Sequence, residues 1–83
     1  MKHGFVYIWY DCKRRRYYIG CHWGSTTDGY ICSSDWMRNA YRKRPNDFRR
    51  RILETDITDR QVLLERESYW LSFISHRELG KRY

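Results

Sequence analysis

Two apolar runs near the N-terminus restrict this chain more than any other feature. Phe5-Val6-Tyr7-Ile8-Trp9-Tyr10 consists wholly of β-branched and aromatic residues, which suit a pleated, half-buried surface. After the polar stretch Asp11-Cys12-Lys13-Arg14-Arg15, residues Arg16 to Cys21 read as a second strand, with Gly20 at its end. Strands this close in sequence pair antiparallel, so the fold must be organised around a β-hairpin. Alternate residues of a strand share a face: Tyr7 goes with Phe5 and Trp9, Tyr18 with Arg16 and Gly20. Both phenols project to one side if the register allows, and sequence alone leaves that register open.

The remaining elements follow from turn and capping residues. Trp23 to Tyr30 is rich in Gly, Ser, Thr and Asp and reads as a loop. Ser33 or Ser34 caps a helix running to about Arg44, with Asp35 in the first turn and Arg42-Lys43-Arg44 in the last, as the helix dipole favours. Pro45 ends it. Asp47 to Glu54 is expected as a third strand on the strength of Phe48, Ile52 and Leu53, although Arg49-Arg50-Arg51 interrupts the pattern. Thr58-x-x-Gln61 has the form of a capping box and opens the longest helix, to about Ser75. Leu63, Trp70, Leu71 and Ile74 form its apolar stripe. The order of elements predicts one small domain of mixed helix and sheet over 1–83, with the polar end from Arg77 to Tyr83 as the only linker-like segment.

The chain carries 17 Lys and Arg against 10 Asp and Glu, a formal charge of +7. Four Trp, eight Tyr and three Phe supply an aromatic core, which excludes a disordered basic tail. A cationic surface on a folded domain points to a polyanion, nucleic acid first, with charge for solubility as the alternative. No run is apolar enough for a membrane span or a secretory signal. Cys12, Cys21 and Cys32 match neither a structural zinc site nor a disulfide framework, so a reducing, cytoplasmic setting is expected.

Glu67 breaks the helical pattern. It lies one turn after Leu63 and one turn before Trp70 and Leu71, on the face that should be buried. Glu65 falls outside that stripe and reads as solvated. A carboxylate turned toward the sheet needs a cation or a charged partner. A purely structural pair with an Arg and a functional ligand are both compatible with this position.

Taken together, these residues resemble a GIY-YIG nuclease domain, most like those of phage homing endonucleases. Gly4-Phe5-Val6-Tyr7 stands where the first motif has Gly-Ile-Tyr, and Tyr18-Ile19-Gly20 is the second motif unaltered. Asp28-Gly29-Tyr30-Ile31-Cys32-Ser33-Ser34 resembles the loop of one phage and bacterial subgroup, and Glu65-Arg66-Glu67-Ser68-Tyr69-Trp70 resembles the Glu-bearing helix of phage intron-encoded homing endonucleases. The resemblance implies an α/β (α+β) fold with a three-stranded antiparallel sheet flanked by helices, and metal-dependent hydrolysis of DNA phosphodiesters. It implies Tyr7 and Tyr18 as site phenols, Glu67 as ligand of Mg²⁺ or Mn²⁺, and an arginine on the first helix, Arg38, with Arg42 as runner-up. His22 stands where the subgroup often has His, suited to phosphate binding or proton transfer. The family often places an Asn beyond the long helix, so this chain is expected to be a catalytic domain excised from a longer one.

As chemistry, one carboxylate suits one divalent ion that keeps most of its waters. A phenol with a pKa of about 10 is a poor base at neutral pH unless cations help to ionise it. Arg42, Lys43, Arg44 and Arg49, with Lys13 to Arg16, are expected to contact the DNA backbone, which gives affinity without sequence choice. No small-molecule cofactor and no membrane are called for. A binding module of the same fold and a small basic RNA-binding protein remain as alternatives.

Overall fold

The computed structural model describes residues 3–73. The elements in order are strand β1 (Gly4–Asp11), strand β2 (Arg16–Trp23), helix α1 (Asp35–Lys43), a single 3₁₀ turn (Pro45–Asp47), strand β3 (Phe48–Ile57) and helix α2 (Arg60–Leu71). The three strands form one antiparallel sheet in the order β2-β1-β3. The α+β fold with a three-stranded antiparallel sheet is therefore as expected. No helix among the described residues is long and apolar enough to cross a membrane.

The hairpin register pairs Tyr7 with Gly20 and Trp9 with Tyr18. Directly opposed residues share a face, so both phenols do lie on one side. Phe5, Tyr7 and Trp9 pack there with Met37 and Ala40 of α1 and with Phe48. The opposite face presents Val6 and Ile19, which pack against Leu63 of α2, with Trp70 and Leu71 beside them. Helix α2 lies close to β1 because Gly4 has no side chain: a Cβ there would sit 2.6 Å from a Leu63 methyl.

Several boundaries differ from the sequence reading, each for a local reason. Asp11 ends β1, fully buried, rather than opening a polar connection. Its carboxylate accepts the backbone N–H groups of Lys13 and Arg14 and takes both terminal nitrogens of the Arg44 guanidinium. That fixes the four-residue turn, in which Arg15 has a left-handed φ of 55°. Asp47 belongs to the 3₁₀ turn, and β3 extends to Ile57 past a break in pairing between Val6 and Tyr7. The arginine run does not interrupt β3, because it lies on an edge strand with Arg49, Arg50 and Arg51 all exposed. Thr58 is not the cap of α2. Asp59 takes that role, its side chain accepting from Gln61 N and Val62 N. The helix ends at Leu71 with Ser72 as C-cap rather than at Ser75. Ile74, Ser75 and the linker-like Arg77 to Tyr83 lie outside the described residues.

Candidate active site

The phenols meet over a glycine. The Tyr7 ring lies across Gly20 on the edge strand, so that a Cβ at Gly20 would stand 2.7 Å from the Tyr7 hydroxyl and 2.7 Å from the Tyr18 ring. Even alanine has no room here, which gives the glycine of the second tripeptide a steric reason. The Tyr7 and Tyr18 rings are stacked with centroids 6.2 Å apart. Tyr18 Oη shares a 2.8 Å hydrogen bond with Ser33 Oγ. The two serines before α1 thus divide the work, since Ser34 is the N-cap and accepts from Met37 N.

Tyr7 is buried, and its hydroxyl has no hydrogen-bond partner of good geometry among the described residues. Burial first, then the neighbouring phenols of Tyr30 and Tyr18, push its pKa far above the ordinary tyrosine value. The expectation that nearby cations ionise a site phenol is therefore not met at Tyr7, whose surroundings hold the proton on.

His22 follows on the same side of the sheet as Tyr18. Its ring stacks on Tyr30 at 3.8 Å, meets Phe5 edge-on, and places Nε2 2.7 Å from Asp28 Oδ2. The Tyr30 backbone N–H, and after it the His22 ring, hold the Asp28 carboxyl below its usual range. An ionised Asp28 accepts only, so the geometry assigns a proton to Nε2. Asp28 and Tyr30 were not singled out from sequence as site groups. The Asp28-Gly29 turn was legible, but its contact with a histidine six residues earlier depends on how the loop folds back. The pair lines a cleft of about 560 Å³ together with His3, Trp23 and Thr55.

Arg38 stands on the exposed side of α1 and pairs with Asp35 one turn earlier. It is close enough to Tyr30 and Cys32 for its charge to act on both. Arg42 and Lys43 are exposed on the last turn of α1. Arg44 is engaged elsewhere, bridging Asp11 and Asp47. Arg49 donates to the carbonyls of Asn46 and Phe48, while Arg50 bonds the Thr26 carbonyl and lies over Phe5 and Trp9.

Glu67 is half-buried and faces the sheet, as its helical position requires, but from the side opposite the phenols. Its partner is not the charged group expected of it: the Cys21 thiol hydrogen-bonds to it, and among the described residues no Arg, Lys or His forms an ion pair with it. The neighbouring Arg66 is taken by Glu54. Burial, then this hydrogen bond and the carboxylate charge, push the Cys21 thiol up to about 12. Cys21 in turn is near enough to the Tyr7 phenol for their ionisations to oppose one another. The Gly20-Cys21 step of the edge strand therefore has the phenols on one face and the carboxylate on the other.

Among the described residues no three His, Cys, Asp or Glu side chains gather to hold a metal ion. A fully protein-held ion therefore does not fit. A single half-buried carboxylate with no ion-pair partner among the described residues does fit a divalent ion that keeps most of its waters. No family model, curated protein or solved structure matches this chain.

Proposed function

We propose that this chain is a divalent-metal-dependent endonuclease that hydrolyses DNA phosphodiester bonds. The observation that carries the reading is the Gly20-Cys21 step of the edge strand, met on one face by the two stacked phenols and on the other by Glu67, which has no ion-pair partner among the described residues.

In this reading Glu67 would hold Mg²⁺ or Mn²⁺, and the ion would supply Lewis-acid neutralisation of developing charge. The two phenols take different parts. Tyr7, kept neutral by burial, would back the Tyr18 ring from the core and hold its orientation. Tyr18, half-buried and tied to Ser33, orients the attacking water. Arg38 supplies charge-assisted bonds to the non-bridging oxygens. His22, with Nε2 held by Asp28, has Nδ1 available to take a proton.

Supercoiled plasmid incubated with the protein and Mg²⁺ or Mn²⁺ tests the assignment. Nicked or linear product is expected. Tyr18→Phe should slow its formation by roughly 10²-fold or more, and Glu67→Ala should abolish it with circular dichroism unchanged. Cleavage that survives Glu67→Ala removes the proposed site. No cleavage of any nucleic acid by the unaltered chain with either metal leaves a binding module in its place.

A further inference from the structure

A second feature lies outside that site. Trp36, in the first turn of α1, keeps 49 % of its surface in water. A lone exposed tryptophan is unremarkable, but this one is built into a setting. The Arg16 guanidinium stacks on its ring at 4.8 Å, which holds the indole in place and adds positive charge beside it. The ring forms one wall of a groove of about 200 Å³, whose other lining residues are Arg14, Asn39, Ala40, Lys43 and Arg44. Among the described residues no carboxylate lines this groove. Neither Arg14 nor Lys43 is paired with one among the described residues. Arg44, anchored by Asp11 and Asp47, gives it a rigid side.

An aromatic wall beside cations is the combination that single-stranded nucleic acid requires: a π-face for the base and positive charge for the phosphates on either side of it. The groove is narrow and has one aromatic wall, so it matches one nucleobase and not the face of a duplex, whose bases are already stacked on each other. Its position also suits a strand passing the phenols. Arg16 and Tyr18 alternate along β2, and Trp36 follows by three residues Ser33, the partner of Tyr18. We propose that this groove binds one unstacked nucleotide of single-stranded DNA. The base lies on Trp36, Asn39 faces its edge, and Arg14 and Lys43 hold the flanking phosphates.

Equilibrium binding in EDTA tests this without any cleavage, so its outcome is independent of whether the chain is a nuclease. Fluorescence anisotropy would compare a labelled oligothymidylate, an abasic oligonucleotide of equal length and a duplex. Base–aromatic stacking is worth about 1–3 kcal/mol per base, so Trp36→Ala should weaken oligothymidylate binding by roughly 5- to 150-fold and leave the abasic strand unaffected. Trp36→Phe should keep most of the affinity, and it stands in for the alanine variant should that one fail to fold. Arg14→Ala with Lys43→Ala should weaken both strands and lower the salt slope by about one to two. Equal oligothymidylate binding by wild type and Trp36→Ala overturns the proposal. So does a loss that is the same on the abasic strand, or a duplex bound best with no dependence on Trp36.

Discussion

The two faces of the sheet hold their helices by different physics. Under α1, the face of Phe5, Tyr7 and Trp9 is aromatic and threaded with polar contacts. Trp9 Nε1 donates to the Ile31 carbonyl, Tyr18 to or from Ser33, His22 pairs with Asp28, and Asp11 is buried against Arg44. Under α2, the face of Val6 and Ile19 meets Leu63, Trp70 and Leu71 mainly through apolar contact. Apolar contact is non-directional and tolerates swaps that conserve volume. Buried polar contacts tolerate almost no loss of a partner. The face carrying the phenols is thus the one whose geometry is fixed by hydrogen bonds, and the other is a clamp that brings Glu67 to the edge strand.

The comparison breaks most sharply at Asp11 and Arg44. Arg44→Ala would leave a fully buried carboxylate without its cation, a loss worth about 3–5 kcal/mol. Asp11→Ala should cost less, about 3 kcal/mol at the low end of that range, because Arg44 retains Asp47 and some contact with water. On the other face, Leu63→Met should cost less than about 1.5 kcal/mol. Urea unfolding of the three variants checks the order. A Leu63→Met loss equal to that of Arg44→Ala would erase the distinction between the faces.

The same contrast explains how much of the molecule could be read from sequence. The hairpin, a serine cap at Ser33 or Ser34, the stop at Pro45 and the inward turn of Glu67 depend on residues within a few positions of one another, and local pattern finds them. What was missed depends on contacts across the fold. Asp11 looks like a turn residue until Arg44, 33 positions away, is placed beside it. Arg44 looked like a backbone-binding cation for the same reason. Thr58 and Asp59 are both good caps, and only the course of the chain from β3 selects Asp59. The Glu67 site was half legible: helical spacing gave its direction, but the thiol it meets lies on a strand whose register sequence does not specify.

A change of pH probes the Gly20-Cys21 step of the edge strand. Burial and the adjacent Glu67 hold the proton on Cys21, raising its pKa from 9.0 to about 12. The folded state therefore binds this proton more tightly than the unfolded chain. The stabilisation is complete below pH 9 and drains away as the pH rises toward 12. Tyr7 acts in the same direction above about pH 10. The melting temperature should fall steadily over this window. Cys21→Ala should make the decline shallower without removing it, since Tyr7 remains. An unchanged decline in Cys21→Ala would mean that the folded state does not hold the thiol proton more tightly than the unfolded chain.

The smallest effect sharpens the comparison furthest, because it repeats the Asp11–Arg44 chemistry on the other face. Glu54 and Arg66 also form a carboxylate–guanidinium pair, but the two side chains are 24 % and 36 % exposed, whereas Asp11 is fully buried. Water already solvates both charges, so Arg66→Ala should cost far less than Arg44→Ala. The sign with pH is opposite to that of Cys21. Arg66 holds the Glu54 carboxyl below its ordinary value, so this stabilisation is present above the unfolded carboxylate value. It disappears as pH falls through the folded one. Wild type and Arg66→Ala should therefore differ slightly near neutrality and converge in acid and in high salt. A loss approaching that of Arg44→Ala would show that the face under α2 is also held by polar contacts, and that Glu67 is positioned by a charge network and not by an apolar clamp.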